Sequence, residues 1–288
     1  MTRRPVGLFR DDPQAVLQRH ARLAARSARD RAWSAGGIAA LSFLSAFAVW
    51  WLDISPAAFG PGLVALAKFA ALMIPPSTGG HLALFLHGMA ETLAIAFLGT
   101  LCAAMLALPI AFIAAKNTTP NPMFRFAVRR VLDTIRGIDT LIWALVFVGA
   151  VGLGPFAGIL AIAVSDMGAF GKLFSETIET VDERARESVV ASGGRGWMAV
   201  RFGLLPQVLP VIAGQVLYFF ESNTRSATII GIVGAGGIGL QLSEQIRTYD
   251  FDQVAFIVVM ILIVVALIDW ISGRLRFAII GRASSLPA

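Results

Sequence analysis

Val254-Ala255-Phe256-Ile257-Val258-Val259-Met260-Ile261-Leu262-Ile263-Val264-Val265-Ala266-Leu267-Ile268-Asp269-Trp270-Ile271 carries one charge, Asp269, near its end. A helix that crosses a bilayer needs about 20 mostly apolar residues, and this stretch reads as one. The composition extends that reading to the whole chain. Of 288 residues, 57% are hydrophobic and 15% charged, with a mean hydropathy of +0.74. Soluble domains carry about 25% charged residues, so the charges here are too few to cover a water-facing surface. The hydrophobic content excludes disorder. The fold class that follows is an all-α, polytopic membrane protein.

Working outward, five further spans are expected. The first runs from Ser34 to Leu52 and ends in Trp50-Trp51, an interfacial anchor. The second runs from about Gly88 to Ala115 and the third from about Ile138 to Val151, stopping at the turn Gly152-Leu153-Gly154-Pro155. The fourth starts at Phe156, stays apolar to Val164, then fades into polar sequence. The fifth runs from about Pro206 to Val233. Residues 55–76, with Pro56, Pro61, Pro75 and Pro76 around an apolar stretch, read as an external interfacial helix. The arginine-rich residues 1–33 and the long apolar run after them exceed a signal peptide, so the first span is expected to stay uncleaved.

Basic residues alternate between segments. Residues 1–33 hold eight Arg, residues 116–137 and 165–205 hold five Lys or Arg each, and the tail holds Arg274, Arg276 and Arg282. The intervening segments 53–87 and 240–253 hold only Lys68 and Arg247. Six spans with both termini in the cytoplasm satisfy the positive-inside rule in every loop. The net charge of +6 is then an orienting device and not a nucleic-acid footprint. Cys102, the single cysteine, excludes a disulfide framework.

Several chemistries are missing. The chain has no G-x-x-x-x-G-K-[ST], no G-x-S-x-G and no H-E-x-x-H. His20, His81 and His87 lack metal-ligand spacing, so no catalytic and no metal residues are expected. Gly234-Ala235-Gly236-Gly237-Ile238-Gly239 matches G-x-G-x-x-G, but a dinucleotide site needs a βαβ unit and an acid about 20 residues on, and position 254 is Val. Gly234, Gly236, Gly237 and Gly239 are instead read as a bend at the outer end of a span.

The informative loop lies between spans four and five. It reads Glu187-Ser188-Val189-Val190-Ala191-Ser192-Gly193, then nine residues, then Gly203-Leu204-Leu205-Pro206. The pattern predicts a short helix, a glycine turn and a second short helix with Trp197, Val200 and Phe202. Pro206 fits the first turn of the next span. Such a helix-turn-helix suits the docking of a soluble partner, although an ordinary connecting loop has the same spacing.

This loop resembles the E-A-A-x-x-x-G-x(9)-I-x-L-P segment of bacterial ABC importer permeases. Glu187, Gly193, Leu205 and Pro206 keep its spacing, Ser188 and Val189 replace the two alanines, and Gly203 replaces Ile. Further stretches resemble the phosphonate importer permease. They are Glu91–Ala96, Arg136–Trp143, Gly152–Phe156, Phe202–Pro210, Asn223–Thr228 and Gly231–Gly239. The resemblance covers about Gly88 to Arg276 and includes the departure at Gly203.

The resemblance implies a type I ABC importer permease fold and the membrane subunit of an ATP-driven importer for phosphonate or a related phosphorus oxyanion. An amino acid or another small solute is the alternative cargo. The chain itself would need no cofactor, because ATP and Mg would be bound by a partner ATPase. Expected partners are a second copy of the chain, two ATP-binding subunits, an extracytoplasmic substrate-binding protein and the lipid of a bacterial plasma (inner) membrane. Glu187, Ser188, Val189, Gly193, Leu205 and Pro206 would couple to the ATPase.

The organisation expected is a basic cytoplasmic segment over 1–33, then the first span and interfacial segment over 34–87. A permease core follows over 88–276, with its coupling loop at 183–206, and a cytoplasmic tail over 277–288. Within the core, Glu221 and Arg225 lie four apart on one helical face. A charge at the bilayer centre costs about 2.5–3.5 kcal/mol, so both are expected to turn inward and pair. Either they form a structural ion pair or Arg225, with Glu221, Asn223 and Ser226, lines the translocation pathway. An arginine fork suits phosphate-like groups. Asp139, Asp166 and Asp269 sit near expected span ends and read as caps, loop pairs or interfacial groups. An intramembrane hydrolase would need a paired acid, nucleophile or metal, which these residues do not make. A self-sufficient ion-coupled carrier would show inverted repeats, and none is visible.

Overall fold

The computed structural model describes residues 28–283 apart from 54, 56 and 58, with side chains described between 32 and 279. The expectations for the first arginines, for Pro56 and for the last residues of the tail fall outside these. The described residues are helical, in two units, residues 1–69 and 70–288. In the first unit lies helix α1 (Ala28–Trp51), whose described side chains are all exposed, as lipid-facing residues would be. Helix α2 (Phe59–Leu72) is the short apolar helix expected within residues 55–76, with Pro61 in its first turn.

The second unit contains α3 (Leu82–Ala114), α4 (Pro122–Arg136), α5 (Thr140–Val151), α6 (Pro155–Glu179), α7 (Glu183–Ala191), a π-helical stretch (Ala199–Leu204), α8 (Leu205–Ile232), α9 (Ile238–Thr248) and α10 (Phe251–Ala283). Five helical segments among the described residues are long and apolar enough to cross a membrane, and a sixth exists if α4 and α5 count as one broken span. Their bend is 83°. It falls at Gly137, and Asp139 starts the new helix by accepting a 2.8 Å hydrogen bond from the backbone N–H of Leu141. Asp139 is thus the cap its position suggested. Helix α5 alone spans only about 18 Å.

The fourth span does not fade after Val164. Helix α6 continues to Glu179 because its polar residues have partners. The Ser165 and Thr140 hydroxyls share a 2.9 Å hydrogen bond, Asp166 accepts from Asn223, and Lys172 reaches Asp133 at 3.2 Å. A hydropathy reading sees these residues as a loss of apolarity and cannot see what faces them. Two other boundaries also differ. The fifth span is continuous with the π-helical stretch before it, and the expected external loop over 240–253 contains α9.

Small residues set the packing of the core. Ala103, Ala107 and Ala111 of α3 face Phe170, Phe174 and Ile178 of α6 and Leu204, Val208 and Ile212 around the start of α8. A Cβ at Gly99 would stand 2.7 Å from Cβ of Ile162, so glycine permits this α3–α6 approach. A second cluster joins Ile95, Ala144, Ala161, Ile162, Ala227 and Ile230. A third joins Phe85 and Met89 to Ile238, Ile257 and Met260. Helix α4 is amphipathic and starts with Pro122 behind the capping Asn121, whose side chain accepts from the N–H groups of Met123 and Phe124. Leu132 sits against Gly168 and Gly171, and Arg129 closes a 2.7 Å bridge to Glu179.

Candidate coupling and translocation site

At one end of the core the chain leaves α6 and forms a compact helical hairpin. Asp182 caps α7 by accepting from the N–H of Arg184 at 3.0 Å, and Glu183 pairs with Arg186 one turn on. The helix ends where the N–H of Gly193 bonds the Val190 carbonyl and that of Gly194 bonds the Val189 carbonyl. Gly193 has φ of +89° with open space around it, so its requirement for glycine is one of backbone conformation. A second positive-φ residue, Gly196, turns the chain into the return helix. The expected helix–glycine turn–helix is present.

The return helix is π-helical over Ala199–Leu204 and passes without a break into α8. Gly203 is buried where it crosses α7. A Cβ there would lie 2.7 Å from the Cα of Arg186 and 3.1 Å from the Ala185 carbonyl oxygen. The two arms therefore touch backbone to backbone, and no side chain larger than hydrogen fits between them. This accounts for the glycine that departs from the broader loop pattern. Gln207 fastens the junction by donating to the Gly203 carbonyl at 2.7 Å. Leu204 and Val208 are buried in the core cluster, which roots the hairpin in the bundle.

Outward, the hairpin presents Glu187, Ser188, Val190, Trp197, Met198 and Phe202, all exposed. Glu187 has no ion-pair partner among the described residues, while Arg201 lies over the Phe202 ring at 5.5 Å. Val189 and Leu205 are half-buried and Pro206 is exposed in the first turn of α8. The hairpin thus sets exposed apolar side chains beside a carboxylate with no ion pair among the described residues.

At the other end of α8, the glycines form a tight crossing. Gly234, Gly236 and Gly237 all have positive φ, and Gly231 lies against the Gly236 carbonyl and the backbone of Gly239. A Cβ at Gly239 would collide with the Thr228 carbonyl oxygen. The Ile238 N–H, at the start of α9, donates 2.8 Å to the Thr92 hydroxyl of α3. The Gly154 N–H donates to the Gly234 carbonyl at 2.9 Å, so the two glycine turns read from sequence meet each other.

Between these ends, Glu221 and Arg225 do share a face of α8, 3.8 Å apart at their nearest N and O. Each has a shorter bond to α10: Arg276 to Glu221 at 2.6 Å, and Arg225 to Asp269 at 3.3 Å. Arg276 and Asp269 are missed as partners because they are distant in sequence, at the far end of an apolar run. Asn223 points into the core. Its amide donates to the Thr100 hydroxyl at 2.8 Å and to the Asp166 carboxylate, and all three residues are buried. Asp166 is therefore an interior residue at mid-helix and not a span-end group. Ser226 is half-buried and bonds the Ser222 carbonyl. Among the described residues no group of His, Cys, Asp or Glu could hold a metal ion.

A multi-helix membrane bundle with a protruding helical hairpin, rooted in one of its longest helices, is the class that this geometry defines. Residues 107–281 match the family described as the binding-protein-dependent transport system inner membrane component, and the chain belongs to that family. It is 41% identical over 239 residues to the putative phosphite transport system permease protein HtxC of Stutzerimonas stutzeri, covering 82% of this chain and 84% of that one. It is 35% identical over 240 residues to the phosphate-import permease protein PhnE of Mycolicibacterium smegmatis, covering 83% of this chain and 45% of that longer one. The fold is similar to that in inward-facing conformations of the MetNI methionine ABC transporter, with a TM-score of 0.61 and 22% identity over 69% of this chain and 97% of that one. The chain is thus a multi-pass inner membrane permease subunit, a component of a transport pore and not an enzyme.

Proposed function

We propose that this permease subunit carries phosphite, phosphonate or a closely related phosphorus oxyanion inward, driven by ATP hydrolysis on a separate chain. The observation that carries the reading is the 41% identity, across most of both chains, with a permease named for phosphite. The methionine transporter shares the fold at 22% identity, which argues for architecture and not for cargo. Two copies would enclose the pathway, with two ATP-binding subunits beneath and an extracytoplasmic binding protein delivering substrate. ATP and Mg would belong to the ATPase chains. The hairpin at 183–204 would receive the ATPase movement and pass it to α8, shifting the pore between inward- and outward-facing states.

The test is uptake by proteoliposomes holding the complete complex, with cognate binding protein on the outside and ATP inside. Phosphite or methylphosphonate should accumulate and raise ATP hydrolysis. Methionine should do neither, and accumulation of methionine alone would transfer the chain to the amino-acid reading.

Both termini are proposed to be cytoplasmic, with the hairpin on the same side. In a Cys102→Ala background, a cysteine at Ser243 on α9 should react with an impermeant thiol reagent added to intact cells. A cysteine at the exposed Ser192 should react only after the membrane is opened. External labelling at Ser192 would invert the topology.

A further inference from the structure

Four charged side chains form two ion pairs along the seam between α8 and α10, and the pairs are not alike. Glu221 and Arg276 meet at 2.6 Å, with side chains 13% and 30% exposed. The Arg276 guanidinium also lies over the Tyr218 ring, 5.7 Å from its centroid. Arg225 and Asp269 meet at 3.3 Å, with side chains 47% and 43% exposed. The first is a short, charge-assisted bond with aromatic cover, a staple between two helices. The second is longer and more open.

Resting on the oxyanion reading above, we propose that Arg225 is the residue in the bundle that contacts the passing oxyanion, and that Asp269 is the counter-ion it releases to do so. A guanidinium has five donors in a fixed fork that matches two oxygens of a phosphoryl group. Arg225 uses that fork on one long bond to Asp269 and a distant approach to Glu221, so donors remain. Two other arginines of the core are held by shorter bonds to carboxylates. Arg129 is bound to Glu179 at 2.7 Å and Arg276 to Glu221 at 2.6 Å, while Arg274 lies over the Trp270 ring. Lys172 is a point charge held by Asp133.

The counter-ion has a function of its own. Two arginines, one Asp and one Glu make the seam neutral, so an incoming anion exchanges with the Asp269 carboxylate and does not meet a bare cation. When it leaves, the carboxylate returns. Such a contact is selective for oxyanions yet weak enough to let cargo pass, which a transport pathway requires. Glu221 cannot take this part, because Arg276 holds it in place.

Binding is tested on the purified permease–ATPase complex in nanodiscs without binding protein, by 31P line broadening of methylphosphonate and its reversal by sulfate. Broadening should be seen with the native complex. Arg225→Gln should weaken it about tenfold, the scale of one charge-assisted contact, and Arg225→Lys should fall between. Asp269→Asn should tighten binding several-fold and slow proteoliposome turnover, because nothing then competes with the anion. Arg276→Gln should lower the yield of intact complex and, by freeing Glu221 to compete for Arg225, weaken binding per complex by less than Arg225→Gln does. Undiminished broadening with Arg225→Gln, or a loss with Asp269→Asn that matches it, overturns the proposal. Failure of the native complex to take up any phosphorus oxyanion would instead defeat the substrate reading. Arg225-dependent binding of sulfate, followed in that case with 35S, would still separate the two.

Discussion

Replacing Gly203 with valine is expected to uncouple the transporter while leaving the subunit in the membrane. The new Cβ would stand 2.7 Å from the Cα of Arg186, and both neighbours are backbone that cannot rotate aside. Either the hairpin arms separate or α7 shifts along the return helix. Overpacking of this kind costs about 1–3 kcal/mol in a core. Here it is concentrated on a two-helix element with few other contacts, so the element gives way before the bundle does. Leu204 and Val208, one and five residues on, are buried among Phe170, Phe174 and Ile178 and keep α8 seated. The variant should therefore insert and fold with near-native thermal stability in detergent. Co-purification of the ATPase should fall at least about tenfold, the equivalent of roughly 1.4 kcal/mol at the docking face, and substrate-stimulated ATP hydrolysis should be lost. Gly203→Ala should be intermediate. Native coupling in the valine variant would mean that the crossing at Gly203 is dispensable.

The same contact would let the hairpin transmit movement to α8 in the proposed mechanism. Its return arm has no joint before α8, and Gln207 ties the first turn of α8 to the Gly203 carbonyl. A push on Trp197 or Phe202 would thus reach the helix that carries Arg225 through continuous, hydrogen-bonded backbone.

How far the sequence disclosed this arrangement depended on the range of the interactions involved. Apolar run length was enough to place five spanning helices, because burial in lipid acts on each segment separately; the third span is a sixth only if the bent α4–α5 pair is counted as one. The hairpin was legible for a local reason: Gly193 sits six residues after Glu187 and Pro206 starts the next helix. The glycine bend was legible too, since clustered glycines with no side chains have few uses other than close approach. What escaped was pairing across helices. Arg276 was counted with the basic tail, yet its guanidinium holds Glu221, 55 residues away. Asp166 was placed at a span end because the sequence around it turns polar, and its partner Asn223 is 57 residues distant. Hydropathy sums individual side chains, whereas a polar group in a bundle is stable or not according to what faces it.

That interior node gives the other large expected effect. Asn223 of α8 joins Thr100 of α3 and Asp166 of α6, so one amide ties the three helices that form most of the core. Thr100 also donates to the Ala96 carbonyl at 2.7 Å and would survive the loss of Asn223. Asp166 has no other hydrogen-bond partner among the described residues. Asn223→Leu keeps the branched shape, with bulkier methyl ends, and removes the donor, stranding a buried carboxyl group. An unsatisfied buried polar group costs about 1–3 kcal/mol, and more if charged. The variant should lose several degrees of thermal stability in detergent and yield less assembled complex. Replacing both partners by apolar groups can be nearly neutral, because neither is then left unpaired. Asn223→Leu with Asp166→Leu should therefore recover most of the lost stability, making the two changes strongly non-additive. Transport by the double variant decides what the node is for. If it assembles and carries substrate, the cluster holds three helices in register and does nothing more. If it assembles but does not carry substrate, Asn223 returns to the translocation pathway, and the node is part of what moves.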